Sequence, residues 1–441
     1  MIRPFFTLLV GTIALAACVA PAATSSPSAS PSTSSTPSSS STATPVPSAS
    51  ALTDWQLATV PAPAAGRWAT PAAVAAGDGR LVAVGGPVRA EGVLEGPSYG
   101  TLWTSSDGVA WAAIPPEPAL DVGVGSPTIG PQPGFSDVAY GPGGFAVLGY
   151  AMTDQGIRVG IWRSTTGEVW ERVEVPDGVF DGGRPMAITA AGPGYVIVGA
   201  WLDMNAPSKD AAPPRAAAWT SPDGLAWTRV RDQIGFAVGG YIDTGETPDA
   251  GGMLGVTATT SGMIAVGQTC KPVSLMETMG PPSTCRPLLW ASDDALRWTR
   301  IDPDVAVHRG TLQSIAAAGE RIIAVGGGWS GSPARYTLRS SDGTTWRWDE
   351  DAGQSRFEGV VSVPGTFMAT WHDSGQIQLS TSPDGRAWTA VRGVPKMSTG
   401  PSIRNSDIVA MQDRIVIVGW REGEEDPAKS AFALVGPLDT D

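Results

Sequence analysis

The nine residues WTSSDGVAW (103–111) recur as WRSTTGEVW (162–170), WTSPDGLAW (219–227) and WASDDALRW (290–298), with weaker copies LRSSDGTTW (338–346) and STSPDGRAW (380–388). A chain that repeats one phrase at this spacing is stacking copies of one small unit. A second phrase lies upstream of the copies: LVAVGG (81–86), FAVLGY (145–150), YVIVGA (195–200), MIAVGQ (263–268), IIAVGG (322–327), FMATWH (367–372) and IVIVGW (415–420). Each follows a tight turn and another short apolar run, such as SDVAY or AITAA. Short runs of β-branched and small residues bounded by Gly and Pro are strand signals.

The unit is therefore strand, tight turn, strand, variable loop, strand, S-x-D-G turn, strand. Four antiparallel strands per unit is the pattern of a propeller blade. Six units are complete, and a seventh stops after AFALVG (431–436), short of its fourth strand. DWQLATV (54–60) supplies it, with Trp55 standing where Trp111 and Trp227 stand in their own units. The expected fold is all-β: a seven-bladed propeller of four-stranded antiparallel blades over residues 54–441, closed by the N-terminal strand. Closure removes the unpaired edges of an open sheet.

The first residues read as an address. Arg3 precedes an apolar run from Phe5 to Leu15, too short to span a membrane and suited to a signal peptide over residues 1–17. Leu15-Ala16-Ala17-Cys18 resembles the bacterial lipobox, which implies that Cys18 is acylated and becomes the mature N-terminus. From Val19 to Thr53 there is no charged residue, and Ser, Thr, Pro and Ala dominate. Residues 18–53 thus read as a lipidated Cys followed by a disordered linker, since such a composition cannot bury a core. The expected location is the extracytoplasmic face of a bacterial cell membrane.

A net charge of −13 argues against a nucleic-acid partner, because phosphate binding needs a surplus of Lys and Arg. With Cys18 assigned to lipid, Cys270 and Cys285 remain, and an exported context predicts a disulfide between them. The two histidines, His308 and His372, lie in different units, so no metal site and no cofactor are expected. The protein is expected to be a monomer.

The S-x-D-G-x-x-W phrase resembles the Asp-box repeat of bacterial neuraminidases, one residue shorter here between Asp and Gly. The resemblance makes Asp107, Asp223, Asp294, Asp342 and Asp384 turn acids, separated blade from blade and structural rather than catalytic. Thr166 replaces the acid in the second unit and Ala295 the glycine in the fourth, so those two turns are expected to be looser.

In such blades the first-to-second and third-to-fourth connections share one side of the disc. The long connections lie on the other, the expected binding face. Aromatic residues recur there at Tyr150, Trp201, Trp329, Trp371 and Trp420, with Tyr99, Tyr241, His308 and His372 around them. They suit stacking on sugars or gripping protein segments; packing between blades is the alternative. Arg67, Arg184, Arg309, Arg356 and Arg404 precede or open inner strands. Convergence into an anion-binding cluster and solvated pairing with nearby acids are both open. Sialidases, the enzymes of this resemblance, carry an R-I-P motif, but GRWATP spaces Arg67 and Pro71 four apart, and the blade count differs. The sequence therefore points to a non-catalytic, membrane-anchored module that binds a glycan or protein ligand. A sialidase-type exo-glycosidase and a structural or assembly factor of the cell envelope are the alternatives.

Overall fold

The computed structural model describes residues 54–63, 69–87, 99–123, 134–153, 156–192, 194–202, 215–238, 250–270, 285–302, 310–328, 335–351, 355–397, 402–422, 424, 426 and 429–438. The signal segment, Cys18 and the linker to residue 53 lie outside them.

Seven four-stranded antiparallel sheets form seven blades. Blades 1 to 6 span residues 69–113, 134–172, 183–229, 250–301, 311–351 and 357–390. Blade 7 combines Ser402–Met411, Arg414–Glu422 and Ala431–Pro437 with the N-terminal strand Gln56–Thr59. That strand pairs in the register Gln56↔Val435 through Thr59↔Phe432, which closes the ring as expected. Trp55 lies where a side chain at position 436 would stand: a Cβ on Gly436 would come within 2.3 Å of its ring.

The core is distributed among the seams. Each of seven apolar clusters joins two neighbouring blades; one, for example, sets Val82 and Val84 of blade 1 beside Val138 and Val147 of blade 2. The second strand of each blade is covered on both faces, with Leu81, Val82, Ala83 and Val84 all inaccessible. Burial on both faces is why these strands read as continuous apolar runs rather than as alternation.

The four best copies of the repeat open on a Trp that is fully buried: Trp103, Trp162, Trp219 and Trp290. Each indole N–H donates to a carbonyl in the segment arriving from the previous blade. The acceptors are Pro61, Ala119 and Val179 at 2.8 Å, and Gly235 at 2.9 Å. Pro61 follows the N-terminal strand, so the closing seam uses the same bond as three ordinary seams. A large ring fills the seam while its one polar atom is satisfied by the chain it must hold.

Every inner strand carries a bulge at one equivalent place, from Pro71/Ala73 in blade 1 to Asn405/Asp407 in blade 7. A bulge takes backbone groups out of the ladder and re-aims side chains. The described residues include two 3-10 turns, Pro118–Leu120 and Ile234–Phe236. No helix among them is long and apolar enough to cross a membrane.

Candidate functional site: the loop face and the blade 6 mouth

The two faces of the disc differ. On one, the first-to-second connections are two-residue turns such as 78–79 and 412–413. The repeated acid closes the third-to-fourth turns on the same face. Asp107 Oδ1 accepts from the Val109 and Ala110 N–H groups at 2.8 Å, Ser105 Oγ accepts from Gly108 N–H, and the Trp111 indole donates to the Gly108 carbonyl. Asp223, Asp294 and Asp342 repeat the double acceptance, and Asp384 accepts from Arg386 N–H at 3.0 Å. Backbone N–H donors hold the Asp223 and Asp294 carboxyls below the ordinary range. The glycines of these turns take positive φ, for example Gly224 at 81°.

The expected loosening occurs at one of its two sites. Thr166 accepts one bond, from Glu168 N–H at 3.3 Å. Ala295 adopts φ 63° and leaves the bonds to Asp294 intact at 2.8 and 2.9 Å, so the fourth turn is as closed as its neighbours. One alanine in the left-handed region is tolerated because the acid and the buried Trp298 hold the turn around it.

At the opposite strand ends the second and third strands of blades 1, 3 and 4 are separated by residues 88–100, 202–214 and 271–284, of which 88–98, 203–214 and 271–284 lie outside the described residues. Cys270 and Cys285 are directly paired across their strands and joined by a disulfide (S–S 2.04 Å), which fixes the base of the last of these. Blades 2 and 6 depart from the pattern, with only 154–155 and 374–375 between second and third strands.

On this face the aromatic candidates are engaged to different degrees. Tyr150 donates its hydroxyl to the Pro185 carbonyl of blade 3 at 2.8 Å, and burial pushes its pKa to about 12 against the opposing pull of Arg184. The Trp201 indole donates to Asp181 O at 2.8 Å, and the Arg229 guanidinium lies 4.0 Å from its ring. Trp371 is held by Ser380 Oγ (3.1 Å) and covered by Arg335 at 4.1 Å, inside the cluster between blades 5 and 6. Trp420 is half-buried at a strand end opposite Arg404. Trp329, Tyr241, His308, Arg67 and Arg309 lie outside the described residues, as does the Arg404 side chain. Arg184 and Arg356 stand at the inner strands of blades 3 and 6. Arg356 Nε is 4.0 Å from Glu358 Oε1.

Two groups were not singled out from sequence. The first is the pair Asp137 and Asp407, one residue past the bulges of blades 2 and 7. Their shared signal is the phrase Ser-Asp followed by Val or Ile (136–138 and 406–408). Burial raises both carboxyls, Asp407 to about 6 and Asp137 to about 7, the charge of Asp407 adding to the rise at Asp137. The second is Glu358, the bulged residue of blade 6, whose Oε1 lies 3.0 Å from His372 Nδ1. His372 Nε2 is buried and has no hydrogen-bond partner.

No family model matches the sequence, and no curated protein matches it. Solved structures resemble it. The polysaccharide lyase Uly1 aligns with a TM-score of 0.52 at 9% identity, covering 84% of this chain and 90% of its own. The likeness is one of fold. Similar structures also include YCF48 bound to D1 peptide, at TM-score 0.48 and 13% identity over 87% of this chain and 97% of that one. Trypanosoma rangeli sialidase in complex with sialic acid aligns at 0.42 and 13%, over 87% and 59%. Lyases and glycosidases thus stand among the structural neighbours of this seven-bladed ring.

Proposed function

We propose that this chain is a membrane-anchored extracytoplasmic propeller that binds a glycan or protein ligand on its loop face without turning it over. The observation that carries the reading is the contrast between the faces. The Asp turns consume their carboxylates in backbone hydrogen bonds at one end of the strands, while the other end bears the Cys270–Cys285 disulfide and, towards it, Tyr150, Trp201 and Trp420, with connections that are long in sequence. A rigid ring under variable loops is a common basis for recognition. The Asp-box resemblance accounts for the turns and assigns them no chemistry. Anchoring rests on Leu15-Ala16-Ala17-Cys18 and the charge-free linker behind it; acylated Cys supplies the two or more chains that stable anchoring takes.

The test combines a glycan array, a peptide-library screen and a fluorogenic sialoside assay on the purified chain. Retention of a glycan or peptide without turnover supports the reading. Hydrolysis of the sialoside that is lost on changing Arg67, Arg184 or Arg404 replaces it with a glycosidase. Labelled fatty acid that enters the wild type but not Cys18→Ala supports the anchor, and equal labelling of both removes it.

A further inference from the structure

Seven copies of one blade are an internal control: what a single blade carries alone is not needed to build a blade. At the inner-strand bulge the other blades have Ala72, Ser136, Met186, Leu254, Gln313 and Ser406, and only blade 6 has an acid, Glu358. At the second-strand position where blade 6 has His372, the other blades have Gly86, Tyr150, Ala200, Gln268, Gly327 and Trp420, so blade 6 alone has an imidazole there. Both departures fall in the same blade and touch.

Glu358 Oε1 and His372 Nδ1 are 3.0 Å apart, and their side chains are only 20% and 16% exposed. A carboxylate on Nδ1–H fixes the imidazole tautomer and leaves Nε2 with its lone pair as an acceptor. That Nε2 has no partner although it is buried. A buried polar atom left without a partner is unfavourable, and a ligand donor would meet it. The bulge position looks onto water elsewhere in the ring, since Met186 in blade 3 is 44% exposed. His372 also lies directly beside the exposed turn Asp373, Ser374 and Gly375, with no long second-to-third connection above it.

The acceptor matches a hydroxyl donor. Among the described residues no three His, Cys, Asp or Glu side chains form a metal-holding group. The Arg356 guanidinium, its Nε 4.0 Å from the same Glu358 oxygen, is a group of hydrogen-bond donors next to the pair. Donors and an acceptor side by side suit the vicinal hydroxyls of a sugar ring. From this geometry we infer that Glu358 and His372 form a saccharide subsite at the mouth of blade 6, in which His372 Nε2 accepts a hydrogen bond from a ligand hydroxyl. This rests on the reading that the loop face binds ligands, and narrows it to a carbohydrate at one blade.

The test uses the purified full chain and the oligosaccharide it retains most strongly on a glycan array. The chain has two histidines, so a long-range proton–nitrogen NMR spectrum is assignable with His308→Gln alone. The free protein should show His372 protonated on Nδ1 and bare on Nε2, and the Nε2 resonance should move on adding the oligosaccharide. His372→Asn keeps a donor for Glu358 and removes the Nε2 acceptor; it should fold and bind about tenfold more weakly, as losing a central contact does. Glu358→Gln, which still accepts from Nδ1–H, should lose less. An Nε2–H tautomer in the free protein overturns the inference. Oligosaccharide bound equally by wild type and His372→Asn also overturns it, while the binding-face reading stands. A wild type that retains no saccharide overturns it too; the wider reading then falls only if the peptide screen is also blank.

Discussion

The Asp407 carboxylate of blade 7 accepts a hydrogen bond from the Val74 backbone N–H of blade 1 at 2.9 Å, across 333 residues of sequence. Asp137 repeats this toward Ile188 of blade 3 at 2.7 Å, and Ser314 Oγ toward Val360 of blade 6 at 3.1 Å. The second oxygen of each acid takes the next N–H of its own strand, Ile408 and Val138, at 2.8 Å. Each of these inner strands is hydrogen-bonded to a neighbouring strand on one side only, and two carboxylates meet four of their amides. Inner-strand seams are thus latched by side chains, not by sheet pairing.

Both acids have folded-state pKa values, about 6 and about 7, above the ordinary 3.8. The folded chain therefore holds more protons than the unfolded chain between those values. Their stabilisation is complete below about pH 4 and lost as pH rises through 6 and 7. Asp223 and Asp294 are lowered, so their contribution is present above the ordinary value and lost as pH falls below it. Urea denaturation should give a stability maximum between about pH 4 and 6. The double variant Asp137→Asn, Asp407→Asn should be less stable overall and lose the decline between pH 5 and 8 while keeping the acid limb. An identical slope in the double variant would contradict the assignment.

The turn of blade 2 has room for improvement. Thr166 accepts one long bond where Asp223 accepts two of 2.9 and 3.0 Å. Thr166→Asp should restore the second and raise stability by about 0.5–1.5 kcal/mol, the net value of one hydrogen bond. Asp223→Ala should lower it by about the same or somewhat more. Chemical denaturation of the two variants reads both signs, and no gain from Thr166→Asp would show that the turn is held by its buried Trp170 instead.

Removing residues 54–60 takes away the outer strand of blade 7 and the Pro61 approach that Trp103 holds. The edge of Ala431–Pro437 would then be unpaired, a template for association. The truncated chain should melt at a lower temperature and sediment as aggregates. An unchanged melting temperature with a monomeric profile would mean that the strand is not structural.

Much of this architecture was legible because periodic turn chemistry and doubly buried strands write themselves directly into sequence. Trp55 aligned with Trp111, and the strand behind it pairs where that alignment puts it. The site was less legible for a physical reason. Glu358 reads as an exposed strand acid until the bulge after Phe357 is known, and Asp137 and Asp407 look like ordinary polar alternation. Bulges carry no residue signature here, since the extra residue ranges from Ala72 to Met186. Trp371 shows a related limit: its phrase, FMATWH, places the ring where the other blades have glycine, as at Gly85, an exchange that only the strand register makes visible.

That exchange has a partner. Ser380 of blade 6 occupies the place of Trp103 in blade 1, each standing opposite an alanine of its second strand, Ala369 and Ala83. The Trp371 indole donates to Ser380 Oγ at 3.1 Å, so blade 6 has moved its seam-filling ring from the third strand to the second. Trp371→Gly should cost about 3–5 kcal/mol through the cavity it leaves. Ser380→Trp alone should cost about 1–3 kcal/mol by overpacking. Together they rebuild the arrangement of blade 1, and the double variant should be more stable than the sum of the single losses by about 1 kcal/mol or more, since the rings share one space. Urea denaturation of the four proteins measures the coupling. Strict additivity would show that Trp371 does not substitute for the missing third-strand ring, and would return it to the candidates for ligand contact.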